Sequence, residues 1–358
     1  MTVHHSPWPL FGDDLELARA WLRTQLRGFV PLRTGHLAIS LGMGDALVER
    51  LQSGAMQTNA GALRQWRFRI ARLHGESNPY RHLLQDGLFE HAQAAISHSQ
   101  CTGIPLGVQL NGGIGDHLEA LSLLLPWARA QQCCLDLMMG EERQQLIEPL
   151  LPPWDGIHCN KSRKQDAALI PVMALRAAVI DSTKYAHYRP WLQQKKGVQQ
   201  SSQRWLCCWR AEGAGDKLSA HSRSVPWALV QEFYCDLQCL QPEVAIVDIT
   251  RWKAWEAERL KAIGVTTLDP RQGTLLELAQ RCRVSRVITI DTALVHLCAA
   301  AGLRADLLLS VFPDERWQEL NRPEHHYGQL IKQWRSSQFG SWSAVLASLA
   351  SSMIAASR

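Results

Sequence analysis

The residues with the most chemical content lie in two short turns. Asp291-Thr292-Ala293-Leu294-Val295-His296 follows the β-branched run Val287-Ile288-Thr289-Ile290 and leads into Leu297-Cys298-Ala299-Ala300-Ala301-Gly302. Asp and Thr are N-cap types, the next residues suit a helix, and Gly302 suits its end. The stretch reads as a buried strand, a sharp turn and a helix. The first N–H groups of such a helix have no partner inside it and carry partial positive charge, so the turn can hold a phosphate without a large side chain. With Asp291 as N-cap, His296 lies one turn in and leans back over the mouth. A plain capped turn with a structural histidine accounts for the same residues.

The second turn is Asn111-Gly112-Gly113-Ile114-Gly115-Asp116. Its glycines allow positive φ and close backbone approach to a ligand. It is not a dinucleotide fingerprint, because Leu118 stands at the third glycine position, and it is not a Walker loop, because no Lys-Ser or Lys-Thr follows. Asp116 falls at the mouth of a helix, where a carboxylate is stabilised; taken alone, a helix N-cap is the preferred reading of it. The loop from Lys217 to Pro226 contains Arg223, a side chain suited to bidentate phosphate binding, or simply solvated. No Asp-x-Asp element occurs, so helix dipole and arginine, rather than a metal between paired aspartates, would neutralise a phosphate.

The elements that position these turns alternate. Residues 1–100 read as helical, with apolar residues at helical spacing from Leu15 to Phe29, Leu41 to Leu51, Leu63 to Leu73 and Leu83 to Ile96, and no fixed repeat period. From Ile104 the pattern becomes strand, Gly-rich turn, helix, strand, helix: Ile104–Leu110, His117–Arg129, Cys133–Met139 and Glu141–Leu150. Residues 193–203 are polar and read as a linker. Alternation then restarts, with strands at Trp205–Trp209, Val244–Ile249, Val265–Leu268, Val287–Ile290 and Asp306–Val311. Helices are expected at Pro226–Leu240, Ala254–Ile263, Leu275–Cys282 and Trp342–Ala355. The division is a helical region at 1–100, an α/β half at 101–192, the linker, and a second α/β half at 204–358. Ligands in open α/β sheets sit at the carboxyl ends of strands, so two facing halves would place both turns on one cleft.

The chain has 358 residues and a formal charge of +5, with 46% hydrophobic residues. The charge is too small and too dispersed to suggest nucleic-acid binding. No apolar stretch is long enough to span a membrane, and Met1 to Pro9 does not read as a signal peptide. Ten cysteines include no C-x-x-C pair, so buried reduced thiols in a cytoplasmic protein are expected, with Cys133-Cys134 and Cys207-Cys208 in strands and pointing to opposite faces. Fourteen tryptophans are enough to floor a sugar or base pocket as well as fill a core.

The Gly112–Asp116 turn resembles the first-strand loop of the ADP-heptose:lipopolysaccharide heptosyltransferase group, and Asp291–Gly302 resembles that group's Asp-Thr-x-x-x-His helix motif. Closer still are the glycosyltransferases of this superfamily found behind tetratricopeptide repeats. Their segments are similar to Asp166–Leu175, Pro190-Trp191-Leu192, Arg223–Pro226, Pro313-Asp314-Glu315-Arg316-Trp317 and Trp342. The resemblance covers roughly Ile104 to Leu349. It implies a GT-B fold, two Rossmann-like halves behind a helical front. It also implies inverting, metal-independent glycosyl transfer from a nucleotide sugar, with no cofactor beyond that co-substrate. Asp116 would match the general base. Asp291, Thr292 and His296, with the N–H groups of Ala293 and Leu294, would match the donor diphosphate region, and Arg223 would stand as a phosphate-neutralising cation. Gly112, Gly113 and Gly115 would form the loop between acceptor and donor. A glycan, a lipid-linked sugar or a protein would be the acceptor. Peripheral membrane association is compatible with such acceptors, and the helical region would bind acceptor or a partner protein. The pattern is not intact: Trp209-Arg210-Ala211-Glu212 replaces a usual Trp-x-Gly-Asn, and Arg176 stands where proline is common. A catalytically inactive sugar-nucleotide or partner-binding protein on the same fold is the alternative.

Overall fold

The computed structural model describes residues 15–74, 76–154, 156–160, 169–182, 188–192, 204–211, 223–269, 284–310, 314–317, 327–336 and 341–356. The linker at 193–203, the expected helix at Leu275–Cys282 and the loop residues Lys217–Ser222 lie outside them.

The helical front is built from α1 (Leu15–Gln25), α2 (Leu32–Ser40), α3 (Gly44–Gln52), α4 (Ala60–Leu73) and α5 (Leu88–Thr102), with two-residue strands β1 (Gly28–Phe29) and β2 (Met56–Gln57) paired in parallel. The apolar spacing that predicts these helices buries Leu22, Leu26, Leu47, Trp66 and Ile70 in one cluster. Phe29, expected as the end of the first helical stripe, instead sits in β1 and is exposed, because the helix stops at Gln25 and Gly28 turns the chain with φ of +59°. Trp66 fixes how α2 and α4 meet. Its Nε1 donates to the Leu32 carbonyl at 3.0 Å, and a Cβ on Gly35 would stand 2.0 Å from its ring. A second contact fastens the front to the first α/β half: Phe68 and Tyr80 pack on Ala177, and Asn78 Nδ2 donates to the Ala177 carbonyl at 2.8 Å.

That half contains β3 (Leu106–Gln109), α6 (Ile114–Ala130), β4 (Leu135–Met138), α7 (Glu141–Ile147), β5 (Ile157–Asn160), β6 (Leu169–Pro171) and α8 (Val172–Ser182). Its four strands are parallel in the order β5-β4-β3-β6. The second half contains β7 (Arg204–Cys208), α9 (Trp227–Leu240), β8 (Ala245–Asp248), α10 (Ala254–Ala262), β9 (Thr266–Thr267), β10 (Arg286–Ile290), α11 (Ala293–Ala300), β11 (Ala305–Leu309), β12 (Ile331–Arg335) and α12 (Ser343–Ala356). Six strands form a parallel sheet in the order β12-β11-β10-β7-β8-β9. Strand β10 is central, which is why Val287 to Ile290 are all apolar or β-branched and all buried. Successive residues serve opposite faces: Val287 and Leu307 enter the core shared with the first half, whereas Ile288 and Leu308 pack under α9 and α12. Cys208 and Cys207 divide between the same two cores, as expected for adjacent strand residues. Cys133-Cys134 precede β4 rather than belonging to it. Strand β12 is not among the expected elements, since Ile-Lys-Gln-Trp-Arg carries charges that suit a sheet edge and hide the pattern.

One apolar cluster runs from β3, β4 and α6 into β10 and α11, so the halves share a core. The backbone N–H groups of Trp191 and Leu192 both donate to the Ala300 carbonyl, at 2.8 and 2.9 Å, and Trp191 Nε1 donates to Ser122 Oγ at 3.1 Å. Helix α6 packs directly on α11. No helix among the described residues is long and apolar enough to cross a membrane.

Candidate functional site

The two turns singled out from the sequence meet across the junction of the halves. Helix α6 begins at Ile114 behind the extended Gly113, and Gly112 takes φ of +114°, a conformation that suits glycine alone. A Cβ there would also stand 2.9 Å from Asp116 Oδ2. Gly113, not Asp116, holds the N-cap position; Asp116, third residue of the helix, reaches back and accepts the Gly113 N–H on Oδ2 at 2.9 Å. Its Oδ1 faces across the junction, 3.1 Å from Arg316 Nη2, and the side chain remains half-buried.

On the other wall Thr292, not Asp291, occupies the N-cap position of α11. Thr292 caps with no side-chain hydrogen bond; its hydroxyl pairs with Thr289 Oγ1 at 3.2 Å. Ala293 and Leu294 are the first helical residues, so their N–H groups have no partner within the helix. Asp291 turns aside to Arg223, whose Nη1 donates to its carbonyl at 2.9 Å and its Oδ2 at 3.3 Å. The structure thus brings Arg223, Asp291, Thr292, Ala293 and Leu294 to one wall, and Gly112, Gly113, Gly115 and Asp116 to the other.

The walls touch. A Cβ on Gly115 would lie 2.9 Å from His296 Cδ2 and 3.6 Å from Ala293 Cα. Gly115→Ala is expected to destabilise the protein by about 1–3 kcal/mol, since His296 is held on both sides and cannot retreat. Urea unfolding reads this directly, and an unchanged midpoint would mean that the helices do not meet at Gly115 in solution.

His296 is buried rather than aimed at solvent. Nδ1 lies 2.6 Å from the Tyr327 hydroxyl, and Nε2 lies 3.3 Å from Arg316 Nη1. Arginine only donates, so Nε2 is the acceptor and the proton sits on Nδ1, directed to Tyr327. Burial, then the Arg316 charge, lowers the histidine pKa, against the pull of Glu119, Asp291 and Asp116. His296 is therefore a neutral prop for Arg316, not a cation for a phosphate.

Arg316 enters the sequence reading only as part of the Pro313–Trp317 segment, with no role assigned; the geometry gives it one. Its guanidinium meets Asp116 Oδ1 at 3.1 Å, Glu119 Oε2 at 3.0 Å, His296 Nε2 at 3.3 Å and, through Nε, Asp314 Oδ1 at 2.8 Å. Burial works against its charge, but Asp314, Glu119, Asp116 and Asp291 outweigh burial and hold it protonated. Glu119 shares its other oxygen with Arg176 Nη2 at 3.2 Å, and Arg176 also reaches the hydroxyls of Tyr188, at 2.7 Å, and Tyr80. Arg176 is held through Nη2 alone; its buried Nε has no hydrogen-bond partner among the described residues. One signal for this network exists in the sequence: Glu119 interrupts an apolar helix, and a buried carboxylate requires partners.

Trp209 is a core pillar. Its Nε1 donates to the Tyr234 hydroxyl at 2.6 Å, which donates to Asp248 Oδ2 at 2.8 Å. Arg210 forks onto Glu256 at 2.8 and 2.7 Å and stacks 4.3 Å from the Trp252 ring centre. Glu212 lies outside the described residues.

His117, beside Asp116, is fully buried with neither ring nitrogen hydrogen-bonded. Burial, then Arg143, lowers its pKa to about 4. The folded pKa lies below the unfolded value near 6.5, so this histidine's contribution is complete above pH 6.5 and is lost as pH falls towards 4. Between pH 7 and pH 5 the wild type is expected to lose about 2 kcal/mol more stability than His117→Phe. Parallel urea melts at the two pH values measure the difference; equal losses would show that the imidazole is hydrated.

Neither a protein-family model nor a curated protein sequence matches the chain. Solved structures do. Escherichia coli ADP-heptose lipopolysaccharide heptosyltransferase II superposes with a TM-score of 0.50 at 10% identity, over 71% of this chain and 100% of that one. The fold is GT-B. Two further solved structures align less closely: E. coli heptosyltransferase WaaC with ADP (TM-score 0.45, 13% identity, 70% of this chain and 100% of that one) and a glycosyl transferase family 9 protein of Veillonella parvula (TM-score 0.45, 10% identity, 65% and 86%). In GT-B terms the four-stranded and six-stranded sheets are the paired halves, and the junction of α6 with α11 lies on the line between them.

Proposed function

We propose that the chain is a glycosyltransferase that moves a hexosyl or heptosyl unit from a nucleotide sugar to a hydroxyl acceptor, with inversion and without a metal ion. One observation carries this: the N-termini of α6 and α11 meet at Gly115 and Ala293, with Asp116 on one and Arg316 between them. Two positive helix ends repel each other, and an anion held by both and by a guanidinium relieves the repulsion. A diphosphate is such an anion. Its oxygens would lie against the N–H groups of Ala293 and Leu294, near Thr292 and Arg223.

The acceptor hydroxyl attacks the anomeric carbon and passes its proton to Asp116. The bond from that carbon to the phosphate oxygen breaks, and the nucleoside diphosphate departs with the electron pair. Arg316 holds Oδ1 of Asp116 before the donor binds; a diphosphate offers Arg316 a second anion, and turning to it releases the base. Glycans, lipid-linked sugars and protein hydroxyls fit as acceptors. We place the chain nearest the enzymes found behind tetratricopeptide repeats, in the cytoplasm, with its helical front available to an acceptor or partner. The engagement of Asp116 on both oxygens favours a second reading, a donor-binding protein without turnover.

A panel of nucleoside diphosphates and nucleotide sugars is the test. A ligand at 100 times its Kd adds about 2.7 kcal/mol of stability, which a thermal melt detects. A panel that shifts nothing removes the donor site. Binding with no release of nucleoside diphosphate over long incubation leaves the second reading.

A further inference from the structure

The helical front reaches the junction of the two halves through Arg72. This side chain, on α4, is 5% exposed, and its Nη2 lies 3.6 Å from Glu119 Oε1. The other oxygen of that carboxylate binds Arg316. Helix α4 also packs against the short 3-10 turn Glu315–Trp317 that carries Arg316. Asp314 opens that turn. It fixes Arg316 twice, accepting the Arg316 backbone N–H at 3.2 Å and Nε at 2.8 Å. Burial opposes the charge of Asp314, and Arg316, then Arg69, then Arg72 hold its carboxyl well below the usual range. Both flanks of Arg316, the Glu119 carboxylate and the Asp314 turn, therefore lean on α4.

We propose that Arg72 is a positioning residue for the cleft: through Glu119 and Asp314 it holds Arg316 in register with Asp116 and His296, so the helical front is part of the working unit. The charge balance gives the physical reason. Glu119 is shared by Arg72, Arg176 and Arg316. With three guanidiniums around one carboxylate, each limits how closely the others approach, and the arginine free to turn towards a second anion is the one nearest the cleft, Arg316. Without Arg72, Glu119 binds Arg316 more tightly, the Asp314 turn loses its support on α4, and Arg316 leaves its place between Asp116 and His296. The consequence for turnover rests on the glycosyltransfer reading; the consequence for the position of Arg316 does not.

The test uses the full chain and two kinds of measurement. The Arg316 Nε–H resonance, assigned by its loss in Arg316→Lys, reports the position of the guanidinium with no ligand present. In Arg72→Met it is expected to shift or broaden while the far-UV spectrum stays that of the wild type, and Arg72→Lys, which keeps the charge, restores most of it. Turnover of a nucleotide sugar is expected to fall about tenfold in kcat in Arg72→Met, and no further when the same change is made in an Arg316→Met background. An Arg316 resonance unmoved in Arg72→Met overturns the proposal, and so does a tenfold loss that multiplies in the double variant. If Arg72→Met does not fold, Arg72→Gln, which keeps a polar side chain at this buried position, is read by the same resonance, and an unmoved signal there overturns the proposal too. A wild type that turns over no nucleotide sugar ends the proposed function and leaves the resonance to decide the positioning.

Discussion

Asp116→Asn is expected to lower glycosyl transfer by about 10²–10⁴-fold while donor affinity changes only a few-fold. The amide keeps an oxygen for the Gly113 N–H, so the α6 N-terminus stays capped. It loses the charge and the capacity to take a proton. The amide NH2 then faces Arg316, which loses one acceptor and keeps Glu119 and Asp314. Thermal melts without donor separate any loss of folding from the loss of chemistry. Nucleoside diphosphate release measures the rate, and thermal melts with donor measure binding. Equal slow release by variant and wild type would remove Asp116 from the reaction and leave a binding protein.

Arg316→Met is expected to have the largest effect on stability. It deletes the common partner of Asp116, Glu119 and Asp314, of which Glu119 is buried and Asp314 mostly so, at a cost of about 3–5 kcal/mol. Arg316→Lys recovers part of that through its charge. It recovers little donor binding, because an ammonium cannot reproduce the fork that meets Asp116, Glu119, His296 and Asp314 from one plane. Denaturant midpoints give the first quantity and nucleotide titrations the second. A methionine variant as stable as the wild type would mean that the network is hydrated and contributes little.

Both turns at this junction are legible in the sequence, and the arginine between them is not. The α11 wall declares itself because an apolar β-branched strand, an Asx/Thr cap and a small-residue helix are local events with local chemistry. The Gly112–Asp116 wall does so for the same reason. Thr292 takes the cap from Asp291 because Asp291 is committed to Arg223, a partner 68 positions away. Arg316 approaches Asp116 over 200 positions and Glu119 over 197. One arginine in a loop carries no periodicity and no cap preference, so nothing local distinguishes it from a solvated one. Arg72 is hidden in the same way, as one basic residue among several on α4. His296 is readable as a residue at the right place but not as a neutral, buried prop, because that role depends on Tyr327, itself contributed from beyond β11.

The sharing of Glu119 also sets a timetable. Ribosomes add about 5–20 residues per second. Arg316 follows Asp116 by 200 residues, so it emerges about 10–40 s after the carboxylates it neutralises. Arg72 precedes both and has Glu119 available early. The helical front and the first half can dock on each other while the second half is still being made, and the cleft is completed only when the Asp314 turn arrives against α4. A nascent chain stalled before that turn holds Asp116 and Glu119 without their strongest partner.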